Sequence, residues 1–196
     1  MKVEERVTIF ESLIEKYESE GYVKTERILS MLKANLMSFV ISLPIFVVCC
    51  IIYFQVTGEL VMLFNATDLL YLLLILIGIC FVHEFCHGIT WGFFCKDKNS
   101  ISYGFMLKAL APYCTCAEPL PFKPYMLGAL MPFIAISIIP FIFSLILSSQ
   151  ILFLISMLNV FGCSGDLTMA LMLLEHKESL IIDHPTKCGF IVFDKV

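Results

Sequence analysis

The chain has 196 residues, of which 59% are hydrophobic and 15% charged, and its net charge is −4. A soluble domain is about 45–50% apolar and about 25% charged, and a chain this short cannot hide such an excess from water. The composition therefore excludes a soluble enzyme and a disordered tail, and the pI near 5.5 excludes a nucleic-acid binder.

Residues 1–35 read as a cytoplasmic amphipathic segment. Phe10, Leu13, Ile14 and Tyr17 recur at helical spacing among Glu4, Glu5, Glu11, Glu15 and Glu18, and Gly21 supplies a stop. Such a helix is expected to pack on the membrane face or on its own domain. Four apolar stretches follow, Leu36 to Val56, Leu69 to Phe94, Met126 to Ser148 and Ile151 to Leu174. Each is long enough to cross a hydrocarbon core of about 30 Å. Residues 36–174 thus form a four-span membrane domain, and residues 175–196 a polar C-terminal tail. The expected fold is an all-α polytopic membrane protein with four transmembrane helices. In the loop between spans two and three, Ser100 to Phe105 alternates weakly, and Tyr113 to Cys116 follows Pro112. This predicts a hairpin at the cytoplasmic side. Its free edge could accept an extended peptide by strand addition, which makes residues 100–118 the suspected substrate-binding segment; the other reading is an ordinary amphipathic loop resting on the bilayer.

Every basic residue falls on one side of these spans. Six lie before the first, at Lys2, Arg6, Lys16, Lys24, Arg27 and Lys33. Four lie in the second loop, at Lys96, Lys98, Lys108 and Lys123, and three in the tail, at Lys177, Lys187 and Lys195. The loops at 57–68 and 149–150 hold none. The positive-inside rule then places both termini in the cytoplasm of a multi-pass cell-membrane protein.

The nine cysteines do not read as a disulfide scaffold. Cys49, Cys50, Cys80, Cys86 and Cys163 sit in apolar runs, where a thiol behaves as a small hydrophobe. Cys114 and Cys116 form a CxC, a weak metal signal.

The second span contains His83-Glu84-Phe85-Cys86-His87, an H-E-x-x-H on a helix. The i, i+4 spacing puts both imidazoles on one face, where they can bind one zinc ion, with Glu84 beside them as general base. Chance gives about 0.005 such matches in a chain of this composition. A catalytic zinc site has three protein ligands and an open position. Asp166, within Gly162-Cys163-Ser164-Gly165-Asp166, is the other ionisable residue deep in a predicted span. It lies about 22 Å along its helix, and His83 about 21 Å along its own, from the same outer face. Gly162 and Gly165 are expected to let a backbone or metal centre approach closely. His176 and His184 compete as third ligands, although Asp183-His184-Pro185 reads first as a turn. Asn159 is a possible oxyanion contact, or else a plain polar helix contact.

At these residues the chain resembles the site-2 protease group of intramembrane zinc metalloproteases. In particular it resembles a small bacterial membrane family described as putative zincin peptidases. The likeness spans roughly residues 30–193 and includes His83-Glu84-x-x-His87, Gly104-Phe105, Pro112-Tyr113, Pro132, Gly165-Asp166 and Asp183-His184-Pro185. The resemblance implies one zinc ion held by His83, His87 and Asp166, with Glu84 as catalytic acid/base. The substrate would be a membrane protein or peptide in the bilayer. The competing expectation is a non-catalytic membrane metal-binding, transport or partner protein. Its structural zinc would be closed by a fourth ligand such as His184 or Cys163. The sequence carries no signal of oligomeric state.

Overall fold

The computed structural model describes residues 3–59, 66–106 and 111–195. Helix α1 (Val3–Ser19) ends just before Gly21, whose φ of 84° turns the chain into strand β1 (Tyr22–Ile28). Helix α2 (Met31–Thr57) starts on the Ser30 hydroxyl, which accepts from the Lys33 N–H, and stops at left-handed Gly58. Helix α3 (Ala66–Phe94) carries the H-E-x-x-H. The loop beyond it forms the expected hairpin, with β2 (Ile101–Met106) antiparallel to β3 (Ala111–Cys116) and Ile101 opposite Cys116. The two-residue β4 (Leu120–Pro121) leads into α4 (Phe122–Pro132).

A π-helical turn at Phe133–Ile138 joins α4 to α5 (Ile139–Leu147). Its cause is Pro140, which lacks an N–H and crowds the carbonyl one turn back, so the helix underwinds ahead of it. The last helical stretch breaks in two, at α6 (Gln150–Gly162) and α7 (Ser164–Leu173), bent by 51°. At the break, Cys163 has φ −78° and ψ −1°, and its N–H reaches both the Asn159 and Phe161 carbonyls. Three helices are long and apolar enough to cross a membrane, Asn35–Thr57, Leu70–Phe94 and Phe122–Leu147, and a fourth if the bent pair counts as one.

The all-α expectation is incomplete. Beyond the hairpin lies a four-stranded antiparallel sheet in the order β1-β6-β5-β4, with β5 (Leu180–Asp183) and β6 (Gly189–Lys195) made by the C-terminal residues. The tail expected to be polar therefore supplies a core. Phe190 and Val192 pack with Ile181 against Trp91, Tyr125 and Leu173 at the helix ends. Ile191 and Phe193 face the other way, with Phe10 of α1. A strand covered on both faces needs an unbroken apolar run rather than alternation. Helix α1 thus rests on its own domain. Gly189, at φ 148°, crosses so close to β1 that a Cβ would stand 2.2 Å from the Arg27 carbonyl oxygen.

Candidate metal centre

Three helices, α4, α6 and α7, converge on the histidines of α3. Helix α7 brings Asp166 in its first turn, where the helix N-terminus favours a carboxylate. Asp166 Oδ2 lies 3.0 Å from His83 Nε2, and Oδ1 lies 3.5 Å from His87 Nε2. The two Nε2 atoms are 3.1 Å apart. His83 and His87 are buried, at 8% and 4% exposure.

The outer nitrogens decide what the inner ones can do. His87 Nδ1 is 2.8 Å from the Gly128 carbonyl of α4, which can only accept. His83 Nδ1 is 3.2 Å from Asn159 Oδ1 of α6. That amide is oriented by its own donors, since Asn159 Nδ2 gives hydrogen bonds to the Pro132 carbonyl at 3.0 Å and Ser137 Oγ at 2.9 Å. Both histidines therefore carry a proton on Nδ1, which leaves Nε2 as the ring nitrogen that can ligate a metal. Asp166 Oδ2, buried among them, receives no hydrogen bond. Two imidazole nitrogens and a carboxylate that converge on one point are the donor set a cation needs. All three ligand atoms lie within 4.8 Å of one another, and two imidazoles with one carboxylate match zinc chemistry.

Packing holds this geometry. The His87 ring stacks on Trp91 at 5.1 Å and 14°, and the Trp91 indole N–H donates to the Tyr125 carbonyl at 3.1 Å. Gly128 is required there, because a Cβ would lie 2.1 Å from Trp91 Nε1. Gly162 and Gly165 are not at close approaches, contrary to expectation: Gly165 has nothing within 4 Å of a built Cβ, and Gly162 only Asn159 Oδ1 at 3.8 Å.

The other candidates are engaged by other partners, although His184 lines the same cavity as His87 and Asp166. His176 Nε2 accepts from Arg27 Nε at 3.1 Å, on the sheet side. His184 Nδ1 accepts from the Thr186 and Lys187 amides, so it closes its own turn, as the Asp-His-Pro reading expects. Cys163 Sγ is 3.7 Å from His83 Nδ1, on the outer side of the ring. Cys116 meets Cys95 rather than a metal group. Asn159 orients His83, and its amide nitrogen is engaged by Pro132 and Ser137.

Glu84 is half-buried and borders two cavities. One, of about 410 Å³, is an apolar recess between α3 and the hairpin, lined by Val82, Phe85, Tyr103 and Pro112. The other, of about 280 Å³, is the more polar of the two and holds His87, Asp166, Asp183 and Lys187 within a largely apolar lining. Tyr113 lines both. Asp183 ties the polar cavity together: its carboxylate accepts from the Cys116 N–H at 2.8 Å and from the Tyr125 hydroxyl. Burial holds the Asp183 carboxyl above its ordinary range, and these two donors pull the other way. Sequence reasoning missed Trp91, Gly128 and Asp183 as site-shaping residues. Trp91 stands one turn after His87, a usable signal, whereas a backbone carbonyl such as that of Gly128 leaves none.

No curated protein and no solved structure matches the chain. Residues 76–181, more than half of the chain, match a family described as "putative zincin peptidase". The matched stretch runs from α3 into β5 and contains His83, Glu84, His87, Asn159 and Asp166. The chain belongs to that family, whose description suggests a metallopeptidase and implies zinc.

Proposed function

We propose that the chain is a zinc-dependent peptidase embedded in the membrane, of the site-2 protease type, which hydrolyses a peptide bond of a membrane protein or peptide. The observation that carries this reading is the inward convergence of three acceptors, His83 Nε2, His87 Nε2 and Asp166, beside a half-buried Glu84. His83, His87 and Asp166 hold one zinc ion. Zinc held there supplies the Lewis acidity that makes water nucleophilic near neutral pH and polarises a carbonyl. Glu84 takes the proton from water and returns it to the amide nitrogen of the departing segment. Asn159 and the Gly128 carbonyl keep both imidazoles in the ligating tautomer.

The hairpin fits the role of substrate platform. The Cys116 N–H points from β3 to Asp183, so the same edge of β3 faces the polar cavity. An extended substrate added along this edge passes Glu84 and keeps its backbone hydrogen-bonded. The apolar recess opens beside Phe81 and Phe85, both more than half exposed, on the side that faces lipid. Water reaches Glu84 from the polar cavity, on the side of the basic residues, which is cytoplasmic.

The competing structural-zinc reading needs a fourth ligand. Among the described residues His184 is engaged in its own turn and Cys163 lies on the outer side of His83, which favours an open position and hence catalysis. The test compares purified wild type with Glu84→Gln for zinc content, and membrane proteomes of cells carrying each. Glu84→Gln is expected to keep one zinc per chain while uncleaved membrane substrates accumulate. Wild type without stoichiometric zinc, or identical proteomes, contradicts the proposal.

A further inference from the structure

A second reactive group lies outside the metal centre. Cys95, just past the end of α3, and Cys116, the last residue of β3, have their sulfurs 3.2 Å apart. Both are buried, at 9% and 1% exposure. The Cys116 thiol also donates its one S–H to the Glu118 carbonyl at 3.3 Å, which leaves the Cys116 sulfur to accept from the Cys95 thiol. A disulfide needs about 2.05 Å between sulfurs, so closure asks for a shift of only about 1 Å. The pair occupies a sensitive place. One backbone bears His83, Glu84 and His87. The other carries Cys116 N–H to Asp183 and lines the cavities at Tyr113 and Cys114.

The geometry points to Cys95 and Cys116 as a dithiol modification site, oxidised to a disulfide by a small peroxide, that ties the hairpin to the helix bearing the H-E-x-x-H. The Cys95 sulfur attacks one peroxide oxygen, the O–O bond breaks, and a sulfenic acid and one water result. The Cys116 sulfur then displaces the hydroxyl from Cys95, and its proton leaves with that hydroxyl as a second water. Two thiols lose two electrons and two protons, and the peroxide becomes two waters. The contact between the two sulfurs holds the Cys95 thiol below its ordinary pKa, and the same contact with burial raises that of Cys116, which suits the first as attacker and the second as resolver. On a reducing cytoplasmic side the thiols persist until an oxidant arrives.

The test exposes the reduced, purified chain to hydrogen peroxide, alkylates it under denaturing conditions and maps the peptides. Cys95 and Cys116 are expected to be joined, with two hydrogens lost and full reversal by dithiothreitol, while Cys49 and Cys50 remain alkylated. In Cys116→Ser a sulfenic acid is trapped by dimedone at Cys95, and in Cys95→Ser none is trapped at Cys116. Amides of β2 and β3 exchange about tenfold more slowly in the oxidised chain. Cys95 left alkylatable while other thiols oxidise, Cys95 joined to Cys114, or both thiols shielded by a bound metal would each overturn the proposal. Zinc content at His83 and His87 is measured in parallel and stands or falls separately.

Discussion

The helical bundle and the four-stranded sheet are built by opposite rules. In β6, Phe190, Ile191, Val192 and Phe193 are fully buried, as in any water-soluble core. In the apolar helices, Leu36, Ile146 and Phe93 are 65–82% exposed, while Ser137, Ser144, Ser156, Asn159 and Thr168 are at most 2% exposed. A bundle with apolar groups outside and polar groups inside suits a hydrocarbon solvent, where polar side chains find partners only in the interior. The sheet suits water. The candidate metal centre sits where the two meet, with its three converging side chains on α3 and α7 and a cavity wall from β5. Its polar ligands are affordable there because the bundle already keeps its hydrogen-bonding groups inside.

Mutations can break this comparison. The largest effect is expected at the ligands themselves: His83→Ala, His87→Ala and Asp166→Ala should each weaken zinc binding by more than about 100-fold, since even groups that only orient a ligand are worth about 10–100-fold. Competition with a chromogenic chelator measures it. Asn159→Ala should fall within that 10–100-fold range; unchanged affinity would show that the His83 tautomer is set some other way. In the sheet, Phe193→Ala should cost about 3–5 kcal/mol, the usual loss for a buried phenylalanine, read from the midpoint of unfolding. In the bundle, Val48, 53% exposed on α2, should behave differently. Val48→Ala should change stability by less than about 0.5 kcal/mol, whereas Val48→Arg should cost about 2.5–3.5 kcal/mol of insertion. A harmless Val48→Arg would place that face of the bundle in water.

The smallest expected effect is a pH dependence in the β5–β6 turn. Burial and the neighbouring Lys187 lower the His184 pKa below 6.5 in the folded chain. The unfolded chain therefore binds more protons between that lowered value and 6.5. Stability from neutral His184 is complete above that window and is lost as pH falls through it. Melting curves of wild type and His184→Gln between pH 8 and 5 should converge slightly at the acid end.

Legibility in the sequence followed the same division. The apolar helices were readable because solvent-facing and core-facing positions are both apolar, and their predicted ends fall within a few residues of those observed. The hairpin was readable from Pro112 and the weak alternation of β2. The sheet was not. Tyr22 to Ile28 mixes polar and apolar residues on both faces, and β5 and β6 are short apolar runs beside many charges. Phe190 to Phe193 carried a usable strand signal, a run of β-branched and aromatic residues after a turn. His83, Glu84 and His87 were legible from local spacing, and Asp166 from its isolation in an apolar stretch. The bend at Cys163 that turns Asp166 toward the histidines falls among Gly162, Ser164 and Gly165, residues at which helices commonly kink, but its direction is set by tertiary packing.

The most direct test of the central claim is zinc K-edge X-ray absorption on the purified chain. The account predicts a single zinc with two imidazole nitrogens at about 2.0–2.1 Å and carboxylate oxygen at about 2.0–2.2 Å, with one imidazole lost in His83→Ala. Sulfur scattering at about 2.3 Å, or a wild-type spectrum unchanged by His83→Ala, would contradict it.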